Sequence, residues 1–453
     1  MILRPYQQQC IDELLTWFDN NKTGNPIINA CVAAGKSVII AKFVQLVLTQ
    51  WPDQRIIMLT ASKELVDQNY RKLLEAWPDA PVGVNCAGLR RKETGRQIVF
   101  STINSIYKNA FNMEPFNIGI VDECHNIPTR ETGMYRRFLA DQALMNPKFR
   151  LIGMTGTPFR GNGEWLWEGE SPIFSDVAAE IAMRSLLKDG FLTPLVLADT
   201  QAKLDTSGVR KTADDFVLSE LTATVDVPEN INAACDELVR LGADRRSWLV
   251  FGVDIKHATH ISEALNERNI LAKVLTNETK PRERAAMISA FKAGALRALV
   301  NVGVLTVGFD APCTDLIALM RPTRSPVLYV QIAGRGMRLD KGKENCLWCD
   351  FSDTTEILGP VDAIEGRSAS KKQSGEAPRK ACPDCLHVSA AGAKTCASCN
   401  FNFPATAAYE RHNAKASDAA ILEAQIKPSW LDVQSAKYSA HHKEGKKPSI
   451  KVS

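Results

Sequence analysis

The chain has 453 residues, 45% of them hydrophobic, with a formal net charge of +4. That composition excludes a disordered chain and suffices for roughly two to four cored domains, while so mild a charge leaves any nucleic-acid surface to local placement of Lys and Arg. The start, Met1-Ile2-Leu3-Arg4-Pro5, runs straight into a charged amphipathic stretch, which reads as no cleavable signal. The longest apolar run, 38–48, is broken by Lys42 and Gln45, so no membrane span and a cytoplasmic location are expected.

In chain order, apolar strands are predicted at 26–30, 55–61, 96–102, 117–123 and 150–157, with helices from Lys36 and over 63–77. Near-continuous apolar strands between helices predict a parallel sheet covered on both faces. The alternation restarts near 232, with a helix there, a strand at 247–253, a helix over 255–269, and strands at 296–305 and 315–322. The fold class expected is α/β, two such layers in tandem, with domains over 1–198 and 231–363 joined by the polar stretch 199–230. A basic linker (364–381), a segment holding two Cys pairs (382–403) and a tail (404–453) follow. The tail carries one helical stretch, 418–426, and ends with Ile450 and Val452 alternating like the beginning of a strand that has no room for its own hairpin.

The stretch 29–40, NACVAAGKSVII, ends like a phosphate-binding loop, with Ala30 where the pattern G-x-x-x-x-G-K-[ST] asks for glycine. A strand before it and a helix after it supply what such a loop needs: backbone N–H groups and a helix N-terminus around the phosphates, Lys36 on the β/γ charge, Ser37 on Mg²⁺. A small residue at position 30 suffices if its φ stays negative. The strand end VDECH supplies Asp122 for Mg²⁺ and Glu123 to polarise an attacking water, carboxylates that are costly to bury without a metal or partner. Further on, QIAGRGMRLD sets Gln331, Arg335 and Arg338 on one face of a predicted helix, placed to face the first layer across a cleft.

Of the twelve cysteines, eight are scattered and four form CPDC and CASC, with ten residues between the two pairs. This is a reducing-compartment pattern with one metal site, Zn²⁺ on Cys382, Cys385, Cys396 and Cys399, in a segment too short to fold without the metal. Such a zinc ribbon can hold nucleic acid or a protein partner; Lys371, Lys372, Arg379 and Lys380 tilt the expectation toward DNA. The CLWC pair (346–349) reads as core of a last strand.

Taken together these strings resemble the superfamily 2 helicases of the DEAD/DEAH-box type, with two RecA-like layers, over about 1–355. LRPYQ, GMTGTPFR, TVGFDAP, LMRPTRS and QIAGRGMR look most like the RadD/YejH-type DNA repair helicases and their phage relatives. The resemblance implies an ATP hydrolase stimulated by nucleic acid and acting as a DNA helicase or translocase. It assigns Arg4 and Gln7 to the adenine side, and Ala30, Ala33, Ala34, Gly35, Lys36 and Ser37 to the phosphate loop. Gly308, Asp310 and Gln331 go to the nucleotide, and His125, Thr155 and Thr157 to coupling. It also implies single-stranded or branched DNA across both layers, which Thr60, Thr102, Arg160, Thr276 and Thr306 are placed to contact. Departures stand at Ala30, at Cys124 and at Gly156, where many members have Ser/Thr-Ala-Thr. An RNA-directed motor and a nucleotide-gated clamp or recruitment module remain the alternatives. Trp165 and Trp167 suit either base stacking or core packing.

Overall fold

In the computed structural model the described residues are 2–20, 23–128, 132–160, 163–169, 171–212, 215–303 and 311–366, with the short segments 379–381, 388–390, 421–422, 438–441 and 449–452. The first lobe runs α1 (Pro5–Asp19), β1 (Ile27–Ala30), α2 (Lys36–Gln50), β2 (Ile56–Thr60), α3 (Lys63–Ala76), β3 (Val82–Cys86), β4 (Arg91–Lys92), β5 (Ile98–Thr102), α4 (Ile103–Ile106), β6 (Ile118–Asp122), α5 (Met134–Met145), β7 (Arg150–Thr155), β8 (Val177–Ile181) and α6 (Met183–Lys188). Its strands form one eight-stranded sheet in the order β4-β3-β5-β2-β6-β7-β1-β8, parallel except for the β3–β4 edge. The burial follows the apolar runs: every residue of β2 and β5 is buried.

The second lobe adds β9 (Leu195–Leu197), α7 (Leu218–Val225), α8 (Pro228–Leu241), β10 (Trp248–Phe251), α9 (Ile255–Glu267), β11 (Ala272–Leu275), α10 (Pro281–Lys292), β12 (Ala298–Asn301), β13 (Leu316–Leu319), α11 (Pro326–Gly336), β14 (Cys346–Asp350) and α12 (Thr354–Leu358). Its sheet, β11-β12-β10-β13-β14-β9, is parallel throughout. Helix starts are set locally, as where the Ser325 hydroxyl accepts from the N–H of Leu328 ahead of Pro326 at the first turn of α11.

Three expectations change. Leu195–Leu197, expected to close the first domain, pairs with β14 as the edge strand of the second sheet. The stretch 199–230 is no bare connection: Leu204, Val209, Phe216, Leu221 and Val225 are buried in the second lobe's core. The final strand, Ser449–Val452, does find a partner, pairing antiparallel with Tyr438–His441 as β17–β18 after the short pair β15–β16 (379–381 with 388–390). The two zinc-candidate Cys pairs lie outside the described residues, as does the helical stretch 418–426 except for Ile421 and Leu422. Both are buried, and the Ile421 carbonyl accepts from the N–H of Val361 at 2.9 Å. Cys346 and Cys349 are core residues of β14, and the eight scattered cysteines are free thiols.

Candidate nucleotide site between the lobes

Strands β6, β7 and β1 are neighbours in the first sheet, so the loops at their carboxyl ends converge. After β1 the chain turns through Cys31–Ala34 and enters α2 at Lys36, with Gly35 in the left-handed region at φ 82°. Ala30 is the last residue of the strand, fully buried and not left-handed; the left-handed alanine is Ala33, at φ 64°. The missing glycine therefore costs nothing at position 30, and the loop's backbone strain sits three residues later. α1 braces the loop from below: Gln7 Nε2 donates to the Ala34 carbonyl at 3.0 Å and the Tyr6 hydroxyl to the same oxygen at 3.3 Å. The Arg4 guanidinium lies 5.1 Å over the ring of Phe191, a ring that Tyr6 meets edge-on. Phe191 and Arg4 both line the cleft; Phe191 was not anticipated from the sequence, because its string, DGFLTP, carries no motif.

Lys36 Nζ stands 3.1 Å from Glu123 Oε1, with the two side chains 12% and 17% exposed. Burial pushes Lys36 down, but the charges of Glu123 and Asp122 outweigh it and hold the ammonium above its ordinary value. Burial likewise pushes Glu123 up, and Lys36, then His125, and more weakly Arg335, pull it below the usual carboxylate range. Asp122 goes the other way: burial first, then the neighbouring Glu123, raise it. Glu123 is itself left-handed at φ 52°, a strained position of the kind that clusters at functional sites. Asp122 is held by α3, whose Asn69 Nδ2 donates to Asp122 Oδ2 at 3.1 Å.

His125 is buried and held below its ordinary value, mainly by burial, so it is neutral at neutral pH. Its Nδ1 lies 2.7 Å from Thr155 Oγ1 and 3.2 Å from Thr157 Oγ1, and 3.4 Å from Glu123 Oε2. Its Nε2 lies 3.3 Å from Gln331 Nε2 of the other lobe. With the Gln331 amide nitrogen donating, Nε2 is the acceptor and the ring proton sits on Nδ1, facing the Thr155 hydroxyl. Gly156 stands against the phosphate loop. A Cβ there would lie 3.0 Å from the Ala30 carbonyl oxygen and 3.0 Å from the Val32 nitrogen, so glycine lets this loop press against the phosphate loop.

From the second lobe, Gln331, Gly334, Arg335 and Arg338 line the same cleft, a cavity of about 300 Å³, opposite Lys36, Ser37, Asp122 and Glu123. At Gly334 an added Cβ would meet Val32 Cβ at 2.5 Å, so glycine is what allows α11 to seat on the phosphate loop. Arg338 is not on the helix with Gln331 and Arg335: α11 ends at Gly336 and Arg338 follows the turn. That turn is clamped by Lys343, whose Nζ donates to the carbonyls of Gly336 (2.7 Å), Arg338 (2.8 Å) and Pro312 (3.1 Å). Gly308, Asp310 and Thr306 lie outside the described residues.

The other residues expected on the nucleic acid are engaged locally. Thr60, Thr102 and Thr276 are buried, with hydroxyls on the Ser62 carbonyl, the Ser105 hydroxyl and the Glu278 N–H respectively. Arg160 donates to the Trp165 carbonyl at 3.1 Å. Trp165 and Trp167 stack on each other with centroids 4.8 Å apart, so each covers one face of its partner.

Oxygen donors dominate the first-lobe side of the cleft: the Ser37 hydroxyl and the carboxylates of Asp122 and Glu123, with Gln68 of α3 also on the lining. That is a set for a hard cation such as Mg²⁺, which keeps much of its water. Among the described residues no group of three or more His, Cys, Asp or Glu forms a self-contained metal centre, and no helix is long and apolar enough to cross a membrane.

Residues 1–160 match the family described as type III restriction enzyme, res subunit, and 229–340 the helicase conserved C-terminal domain. The ATP-dependent helicase IRC3 of Saccharomyces cerevisiae is 26% identical over 374 residues, 80% of this chain. The chain spans about half the length of the curated relatives it matches, 53% of that protein and 57% of its Schizosaccharomyces pombe counterpart. Among solved structures, a fragment of an HsdR subunit of a type I restriction enzyme from Vibrio vulnificus YJ016 superposes with a TM-score of 0.61 at 22% identity, covering 81% of this chain and 67% of that one. The type ISP restriction-modification enzyme LlaBIII bound to DNA gives 0.54 at 16% identity, covering 77% of this chain and 28% of that one. Two RecA-like lobes, an acid box facing arginines across a shared cleft, and these matches agree: the chain belongs to the superfamily 2 helicases.

Proposed function

We propose that the chain is a nucleic-acid-stimulated ATPase that uses hydrolysis to move on or remodel DNA, in single-stranded or branched form. The observation that carries this reading is the shared cleft, with Lys36 and Glu123 on one wall, Gln331, Arg335 and Arg338 on the other, and the His125–Gln331 contact between them. Phosphoryl transfer asks for placement of charge more than for covalent chemistry. Lys36 takes the β/γ-phosphate charge when a triphosphate displaces its present partner, Glu123. Glu123, kept ionised, is then free to orient a water toward the γ-phosphate. Arg335 and Arg338 neutralise charge that builds on the phosphoryl oxygens. Ser37 and Asp122 would hold a Mg²⁺ that enters with the triphosphate and supplies further charge neutralisation there. Arg4 and Phe191 flank the adenine, with Gln7 reading its edge. His125 links this chemistry to the Thr155–Thr157 loop through Nδ1 and to the second lobe through Nε2, a route by which lobe closure reports the nucleotide state.

DNA is the polynucleotide favoured here because the first lobe matches a restriction-enzyme subunit family. Among helicases, the motif strings favour the RadD/YejH-type repair group and a phage or bacterial setting. Contact would be phosphate-led and salt-dependent; the buried threonines at the strand ends require their loops to open before reaching a phosphate. The Cys382, Cys385, Cys396 and Cys399 spacing supports a Zn²⁺ ribbon that docks DNA or a protein, and the free thiols suit a reducing compartment such as the cytoplasm. The test is ATP turnover by the full chain with single-stranded DNA, duplex, fork and RNA added separately, alongside zinc content. Stimulation by DNA and about one zinc per chain, lost on replacing Cys382 and Cys396, are expected. Stimulation by RNA alone removes the DNA assignment, and tight nucleotide binding with no turnover turns the protein into a clamp.

A further inference from the structure

α3 belongs to none of the nucleotide motifs, yet it forms part of the cleft wall: Leu65, Gln68 and Lys72, on one helix face, line it. Asn69 on the same helix is 2% exposed and gives its amide nitrogen to Asp122 Oδ2 at 3.1 Å. A carboxylate accepts and does not donate, so Asp122 fixes which end of this amide faces it, and Asn69 Oδ1 is the end turned away. That oxygen is buried and has no donor among the described residues; Gln68 Oε1 is in the same condition. Two amide oxygens of consecutive residues shut off from water without a donor is an unfavourable arrangement, because each leaves a desolvated acceptor unmet. Both stand on the helix that braces a carboxylate at the edge of a cleft lined by oxygen donors.

We propose that Gln68 and Asn69 are positioning residues for the divalent cation that enters with the nucleotide, Gln68 accepting a hydrogen bond from its water shell while Asn69 aims Asp122 at it. The inference rests on the nucleotide-site reading above and names a part of that site outside the phosphate loop and the acid box. The chemistry fits: Mg²⁺ surrenders its waters reluctantly, and those waters are strong donors that need acceptors. Groups that orient a metal's ligands and waters contribute substantially to metal affinity. An apolar side chain at position 68 removes that acceptor and one at position 69 releases Asp122, while the lysine and backbone contacts to the phosphates stay in place.

The test uses the full chain and two variants, Asn69→Leu and Gln68→Met, each of nearly parental shape. Binding of a fluorescent ADP is titrated with Mg²⁺ and again in excess chelator, and Mn²⁺ bound in the presence of ADP is counted by electron paramagnetic resonance. The cation concentration giving half-maximal effect is expected to rise roughly tenfold or more for Asn69→Leu, and by a smaller factor for Gln68→Met. Metal-free nucleotide affinity is expected to stay within about twofold of the parent, well under the ~1.4 kcal/mol that a tenfold change represents. An unchanged cation requirement, or equal loss of metal-free and metal-dependent binding, overturns the inference while leaving the nucleotide site standing. A parent protein that binds no nucleotide removes both. If Asn69→Leu fails to melt as the parent does, Gln68→Met, on the half-buried cleft wall, decides alone.

Discussion

Removing Lys36 from the nucleotide-free protein has a calculable consequence, because Glu123, its ion-pair partner among the described residues, is buried with a second carboxylate, Asp122, next to it. At 3.1 Å and an effective dielectric near 20 the attraction is about 5 kcal/mol before desolvation is subtracted. Breaking a buried pair by removing one partner typically costs about 3–5 kcal/mol, and because this pair faces an open cleft the expectation for Lys36→Met is ~2–3 kcal/mol. For a lobe of this size that is a fall in Tm of roughly 5–10 °C. Glu123 has its folded pKa lowered, so its contribution is fully present above the unfolded carboxylate value and lost only as pH falls through the lower folded one. In Lys36→Met burial acts on Glu123 without its main counter-charge, so Glu123 takes up a proton at milder acidity and the penalty shrinks as pH is lowered from neutral. The assay is thermal or urea unfolding of parent, Lys36→Met, Glu123→Gln and the double variant at neutral and acidic pH. A double variant more stable than Lys36→Met alone is expected. Additive losses, or a penalty that grows on acidification, would refute the electrostatic account.

Other outcomes follow from single positions. Ala33→Gly removes the penalty of a left-handed alanine at φ 64°; relief of ~1–2 kcal/mol less ~0.5–1 kcal/mol for a freer unfolded chain gives a small net gain in unfolding free energy. Lys343→Met deletes three donations that hold the turn carrying Arg338; ATP turnover is expected to fall roughly tenfold, or ~1.4 kcal/mol in barrier height, with KM for ATP little changed, read by steady-state kinetics. Gln331→Leu cuts the contact to His125 Nε2 and is expected to lower polynucleotide stimulation of turnover more than basal turnover, read as the ratio of the two rates.

What was legible in the chain was what is written in contiguous residues. The phosphate loop, the acid box and the alternation of apolar strands with helices each occupy a short string whose chemistry needs few outside partners, and the structure brings Lys36, Ser37, Asp122, Glu123 and Arg335 to one cleft. Asn69 and Phe191 were invisible because nothing local distinguishes them: Asn69 matters through Asp122, 53 residues on, and Phe191 through Arg4. The strain at Ala33 and Glu123 is a property of backbone angles that no residue type announces. Leu195–Leu197 fell inside the range expected for the first domain, 1–198, because position along the chain says nothing of which sheet a segment joins, and β14 supplied the edge. Arg338 fell off its expected helix because Lys343 caps the turn after Gly336, satisfying carbonyls that a longer helix would have bonded internally.

The central claim is that a triphosphate is worked on from both lobes at once. Steady-state ATP hydrolysis of Arg338→Ala, at saturating levels of whichever polynucleotide stimulates the parent most, tests it most directly. A fall in kcat of roughly a thousandfold with KM within about threefold of the parent is predicted for a group that meets charge in the transition state; unchanged turnover, or equal loss in affinity and rate, would contradict it.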